Sequence, residues 1–91
     1  MYNIEYTGVF LKQAKQCKKR GYNMLLLEET IQLLADTGKL PDKYNTHKLL
    51  GKYAGCLECH IKPDWLLIWQ QNNNNLTLLF LNTGTHSDLF K

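Results

Sequence analysis

Apolar and polar positions change their period several times along the chain. Tyr2 to Tyr6 alternates weakly, which predicts a short first strand. From Val9 to Arg20 the period becomes helical. Phe10, Ala14 and Cys17 share one stripe with Leu11 beside it, and Lys12, Lys15 and Lys19 lie on another. Thr7 is placed to cap this helix and Gly21 to end it. A second helix is predicted from Asn23 to Ala35, with Met24, Leu27, Ile31 and Leu34 inward and Glu28, Glu29 and Gln32 outward. Gly38 and Pro41 bracket its end. The short loop between the helices predicts an antiparallel pair.

Residues 36–46 are turn-rich, and His47 to Gly51 reads as a short extended segment. Then comes the stretch around which the rest is arranged. Cys56 to Ile61 alternates, Pro63-Asp64 suits the centre of a tight turn, and Trp65 to Trp69 is rich in strand-forming residues. A hairpin here gathers His60, Asp64 and Trp65 at one end of a sheet. Asn72 to Asn75 is a polar turn, because a run of asparagines joins neither strand easily. Leu76 to Leu81 is the last predicted strand, closed by Thr83-Gly84. Thr85-His86-Ser87-Asp88 has the form of a capping box for one closing helical turn.

The order is β-α-α-β-β-β-β with a short C-terminal helical turn. Helices precede strands, so the class is α+β: two N-terminal helices on a mostly antiparallel sheet of four to five strands. Length fits a single domain over residues 1–91, and the 44% of hydrophobic residues suffices for one core. No apolar run reaches the length of a membrane span, and residues 1–5 lack a signal-peptide pattern, so the expected location is cytoplasmic. Three cysteines, an odd count, fit reduced thiols better than a disulfide framework. The net charge of +3 is unevenly spread. Basic blocks at residues 12–20 and 39–62 flank the acidic second helix, which suits an anionic partner on one face. A solvated lysine-rich surface gives the same pattern.

All three histidines, His47, His60 and His86, fall beside turns or strand ends in the second half of the chain. Imidazole both takes and gives a proton near neutrality. Internal cleavage of RNA needs a base for the 2′-hydroxyl, an acid for the leaving 5′-oxygen, and positive charge on the phosphate. Histidines, an aspartate and lysines meet that need without metal. Trp65, Tyr44 or Phe90 are candidates for stacking on unpaired bases. A single histidine more often has a structural role, and Trp69 fits sheet packing. Cys56-Leu57-Glu58-Cys59-His60 is a literal haem-attachment pattern, but in an alternating strand its two thiols point to opposite faces. The same geometry argues against zinc on that pair. Walker, G-x-G-x-x-G and G-x-S-x-G motifs are absent, which removes support for nucleotide hydrolysis and serine esterase chemistry.

Three motifs, His47-Lys48-Leu49-Leu50-Gly51, His60-Ile61-Lys62-Pro63-Asp64-Trp65-Leu66-Leu67-Ile68 and Thr83 to Phe90, resemble in order and spacing the RelE superfamily of bacterial toxins, in particular its YafQ branch. The resemblance implies a RelE-like fold and a ribosome-dependent endoribonuclease that cuts mRNA, a toxin of a type II toxin–antitoxin system that inhibits translation. It implies His47, His60, Asp64 and His86 as catalytic groups. Trp65 and Phe90 would hold a base, and Lys62 and Lys52 would sit near phosphate. No metal or other cofactor is implied. The implied partners are a cognate antitoxin, the ribosome and mRNA, with operator DNA reached only through the antitoxin. Many relatives carry an arginine where this chain has Asn82. That departure motivates an alternative: a RelE-fold protein that binds ribosome or antitoxin with weak or no cleavage.

Overall fold

A computed structural model describes residues 1–90. Five strands form one sheet: β1 Asn3–Tyr6, β2 His47–Lys48, β3 Leu57–Lys62, β4 Trp65–Asn72 and β5 Thr77–Gly84. Their spatial order is β1-β5-β4-β3-β2. All neighbours are antiparallel except β1 and β5, which run parallel with Asn3 opposite Thr77. Helices α1 Gly8–Lys19 and α2 Met24–Thr37 precede β2, and the short helix α3 His86–Leu89 follows β5.

Local chemistry explains most boundaries. The Thr7 hydroxyl accepts the Phe10 N–H at 3.0 Å and so caps α1. Gly21 takes φ +86°, and the Tyr22 N–H reaches back to the Cys17 carbonyl at 3.1 Å, a glycine helix stop. Asn23 caps α2 through the Leu25 N–H. The helix runs two residues past the predicted Ala35 before Gly38 closes it at φ +73°.

Both helices contribute to one buried cluster. Phe10 and Cys17 of α1 and Leu27 and Leu34 of α2 meet Cys59, Trp65, Leu67, Trp69, Leu78 and Phe80 of the sheet. Alternation then fixes the opposite face, where Cys56, Leu66, Ile68 and Leu89 form a smaller cluster with Leu49, Tyr53 and Leu81. Cys56 and Cys59 thus lie on opposite sides of the sheet.

The last strand differs from its prediction at both ends. Asn72 Oδ1 accepts the Asn74 and Asn75 N–H groups, and Leu76 follows at φ +52° in the turn rather than in the strand. At the other end Thr83 and Gly84 continue β5, pairing with Leu67 and Leu66. Thr83 is held there by its hydroxyl, which accepts the Trp65 indole N–H at 3.0 Å and donates to the Leu66 carbonyl at 2.8 Å.

The β3–β4 hairpin turns on Pro63-Asp64 as predicted. Neither residue has positive φ, so the turn is not one of the primed types that match strand twist. A bulge absorbs the mismatch: His60 faces Leu66 while Lys62 faces Trp65, leaving Ile61 as the extra residue. The bulge separates His60 from the turn and puts Lys62 on the rim.

Candidate active site

The fold brings the three imidazoles into a row. The His47 and His60 ring centroids are 6.1 Å apart, and those of His60 and His86 are 5.8 Å apart. Three elements supply them. His47 comes from β2, His60 from β3 opposite Leu66, and His86 from the first position of α3.

At one end of the row, His86 sits against the hairpin turn. Its Nδ1–H donates to Asp64 Oδ1 at 2.6 Å, and its backbone N–H donates to the same oxygen at 2.9 Å. These two bonds, the backbone one first, hold the Asp64 carboxyl below its usual range. With Nδ1 engaged, Nε2 is the ring nitrogen without a partner among the described residues. The carboxylate orients the imidazole much as the aspartate does in a Ser-His-Asp triad.

At the other end, a carboxylate that the sequence reading did not select proves central. Glu58 is only 4% exposed. Its Oε1 lies 3.0 Å from His47 Nε2 and 3.9 Å from His60 Nε2. Its Oε2 is buried with no hydrogen-bond partner among the described residues. His47 Nδ1 faces the Asn45 carbonyl at 2.9 Å, which can only accept, so Nδ1 carries a hydrogen. The missed signal was a charged residue inside an alternating strand, two places before His60 and directly opposite His47.

Donor atoms of His47, Glu58 and His60 all lie within 4.8 Å of one another. Two imidazole nitrogens and a carboxylate are a donor set suited to a divalent transition ion. The sequence reading assigned no metal, and on donor chemistry this group fits one. The Cys56/Cys59 alternative stays excluded, because the sheet lies between the two thiols.

Helix α3 is itself anchored. Thr85 and Asp88 form the predicted capping box, the Thr85 hydroxyl accepting the Asp88 N–H at 3.1 Å and Asp88 Oδ2 accepting the Thr85 N–H at 2.9 Å. Arg20, the only arginine in the chain, adds a two-pronged contact to the same carboxylate at 2.6 and 3.0 Å. It holds the Asp88 carboxyl well below the usual range. The arginine is thereby committed to positioning α3. Asn82 donates its amide to Gln13 Oε1 at 3.3 Å and brings no charge to the site.

The remaining expected residues divide. Phe90 is 43% exposed beside the Tyr53 ring, edge-on at 5.6 Å, and Lys52 Nζ lies 5.6 Å over that Tyr53 ring. Lys62 is exposed on the hairpin rim. Trp65 requires a correction. It is 3% exposed, its N–H is taken by Thr83, and its ring packs on Tyr22 with centroids 4.8 Å apart. Its face is not available for a base to stack on. It forms the floor under the hairpin, because odd-numbered positions of β4 face the helices.

Known proteins carry the same arrangement of elements. Residues 2–91 match the family model described as the bacterial toxin of type II toxin–antitoxin system, YafQ. The mRNA interferase toxin YafQ of Escherichia coli strain K12 is 38% identical over 89 residues, covering 97% of this chain and 95% of that protein. The crystal structure of the E. coli DinJ-YafQ complex superposes with a TM-score of 0.90 at 36% identity, covering both chains completely. A crystal structure of a metal-bound toxin from Helicobacter pylori gives 0.89 at 38% identity over 99% of this chain and 100% of that one. The α+β architecture with two helices on a five-stranded mixed sheet is therefore the RelE-like fold of these toxins, and the chain belongs to the YafQ family of bacterial type II toxin–antitoxin toxins.

Proposed function

We propose that this protein is an mRNA interferase that cuts mRNA on the ribosome, using the imidazole row as its acid–base machinery. The observation that carries the reading is the juxtaposition of His47, His60 and His86 with Glu58 and Asp64 at the two ends. In the reaction the ribose 2′-oxygen forms a bond to phosphorus and the bond to the 5′-oxygen breaks. The products are a 2′,3′-cyclic phosphate and a 5′-hydroxyl. One proton leaves the 2′-hydroxyl and one is given to the 5′-oxygen. His86 and His60 stand nearest the hairpin rim and exchange these protons. Asp64 orients His86, while Glu58 and His47 hold His60 from the other side.

Charge on the phosphate comes from lysines, since Arg20 is locked onto Asp88 and Asn82 is neutral. Lys62 and Lys52 are the exposed candidates, and Phe90 offers a ring face to a base. Lys12, Lys15 and Lys19 form a separate basic face on α1 for ribosomal RNA. This chemistry needs no metal. An ion held by His47, Glu58 and His60 would act as a Lewis acid on the phosphate. The partner inside the cell is a cognate antitoxin, as in the DinJ-YafQ complex, and the location is the cytoplasm.

The test is induced expression of wild type and His86→Ala in a bacterial host, followed by primer extension on an abundant mRNA. Cuts seen with wild type and reduced about 10²–10⁴-fold in the variant support the reading. Wild-type growth arrest with intact mRNA refutes it. That result favours the alternative suggested by Asn82, a protein that binds ribosome or antitoxin without cleaving. Cleavage of ribosome-bound mRNA that survives exhaustive chelation supports the metal-free route, and loss restored by zinc overturns it.

A further inference from the structure

Around the hairpin rim from the imidazole row lies a depression that none of the steps above uses. It holds about 290 Å³ and is lined by Tyr22, Asn23 and Leu26 from the start of α2 and by Lys62, Asp64 and Trp65 from the hairpin. Its walls are largely apolar. The polar groups on it are sparse and partly uncommitted. Asn23 uses Oδ1 to cap α2, which leaves its Nδ2 hydrogens without an acceptor among the described residues. Asp64 uses Oδ1 for His86, and its Oδ2 accepts nothing there. Lys62 has no hydrogen bond or ion pair among the described residues.

A second, smaller hollow of about 190 Å³ shares Leu26 and Lys62 with the first and has His60 on its wall. Lys62 therefore lines both hollows at the hairpin rim. Asp64 links the larger one to His86. A flat, apolar-faced ligand with donors and acceptors on its edge suits such a place, and a phosphate beside it would meet Lys62.

Building on the mRNA-cleavage reading, we propose that the depression between the α1–α2 turn and the β3–β4 hairpin receives an unpaired nucleobase adjacent to the cut phosphodiester. The base packs on Leu26 and the Tyr22 edge. Asn23 Nδ2 and Asp64 Oδ2 address its edge, and Lys62 faces the phosphate. Asn23 is then a specificity-determining residue that sets which base is accepted next to the cut.

The test is a titration of the ¹⁵N-labelled full chain with each of the four ribonucleoside 5′-monophosphates and with ribose 5-phosphate. The Asn23 side-chain amide and the Trp65 indole N–H are the reporters. Saturable shifts with at least one nucleotide, absent with ribose 5-phosphate, are expected. Leu26→Trp, which fills the depression, is expected to weaken that nucleotide about tenfold, the loss that one base stack carries. Asn23→Ser keeps a good helix cap and is expected to change the order of preference among the four bases. Equal shifts from ribose 5-phosphate, or unchanged affinity in a folded Leu26→Trp, would overturn the proposal. Wild type that binds nucleotides but leaves mRNA uncut in cells would sink the cleavage reading and leave the pocket. Cleavage without binding would sink the pocket alone.

Discussion

Thr83 ties the floor of the site to the sheet, and its replacement by valine isolates that tie. The side chain is 1% exposed. Its hydroxyl accepts the Trp65 indole N–H at 3.0 Å and donates to the Leu66 carbonyl at 2.8 Å. Valine keeps the shape and removes both bonds. The indole N–H, itself buried, is left without an acceptor at a cost of about 1–3 kcal/mol. The added methyl recovers up to about 0.8 kcal/mol by burial. The net loss is therefore about 0.2–3 kcal/mol, which lowers the melting midpoint by roughly 1–24 °C for a domain of this size. Urea unfolding followed by tryptophan fluorescence measures it. The midpoint should fall while the slope stays at its wild-type value, because the surface exposed on unfolding is unchanged. A cycle with Trp65→Phe separates the hydrogen bond from packing. The Thr83→Val effect should shrink by about 1 kcal/mol in the Trp65→Phe background, since no donor is left to strand. An unchanged midpoint, or an equal Thr83→Val effect in both backgrounds, would refute the argument that this bond holds Trp65 in place.

The Asp88 carboxyl is depressed by the Arg20 fork, so its contribution to stability is present above the ordinary carboxylate range near about 4 and is lost as pH falls through the folded value. Asp88→Asn should accordingly be less stable than wild type at pH 7, and the gap should narrow as thermal melts are run below about pH 4. A gap that widens with acid contradicts this sign. Gly84→Ala should loosen α3. Gly84 has φ +155°, and a Cβ there would come 2.7 Å from Asp88 Oδ2, so a cost of about 1–3 kcal/mol is expected together with faster hydrogen exchange at Leu89 and Phe90. Cys59 is fully buried and its thiol is pushed up to about 12 by burial. Iodoacetamide at pH 8 should therefore modify it only at the rate of unfolding, seen as coincident time courses of alkylation and unfolding in dilute urea.

The local part of the fold was legible because its chemistry is local. Thr7, Gly21, Asn23 and Gly38 act on groups within five residues, and the Pro63-Asp64 turn needs nothing beyond itself. The capping box of Thr85 and Asp88 is of the same kind. Long-range features were harder. Thr83-Gly84 looked like a strand end, since glycine usually interrupts, but the Trp65 indole and the Leu66 carbonyl hold Thr83 in the sheet. Trp65 is a base-stacking candidate by its side-chain type and by the resemblance, whereas the alternation of β4 turns its ring toward the helices. Glu58 went unselected because its partner His47 is eleven residues away in sequence and becomes its neighbour only through β2–β3 pairing. The committed state of Arg20 also depends on a contact 68 residues distant.

The parallel pairing of β1 with β5 sets an order of assembly during synthesis. Asn3 has no sheet partner until Thr77 has been made. Until then the emerging chain can form its two helices and the β3–β4 hairpin, but β4 keeps an open edge and the helices cover an incomplete layer. His86 comes nine residues later still. The imidazole row is thus complete only once His86 has been added, later than every strand of the sheet. A chain halted before residue 77 would instead expose apolar strand edge to proteases and chaperones. Closure of the sheet thereby makes assembly of the row wait on translation past residue 86, independently of any antitoxin.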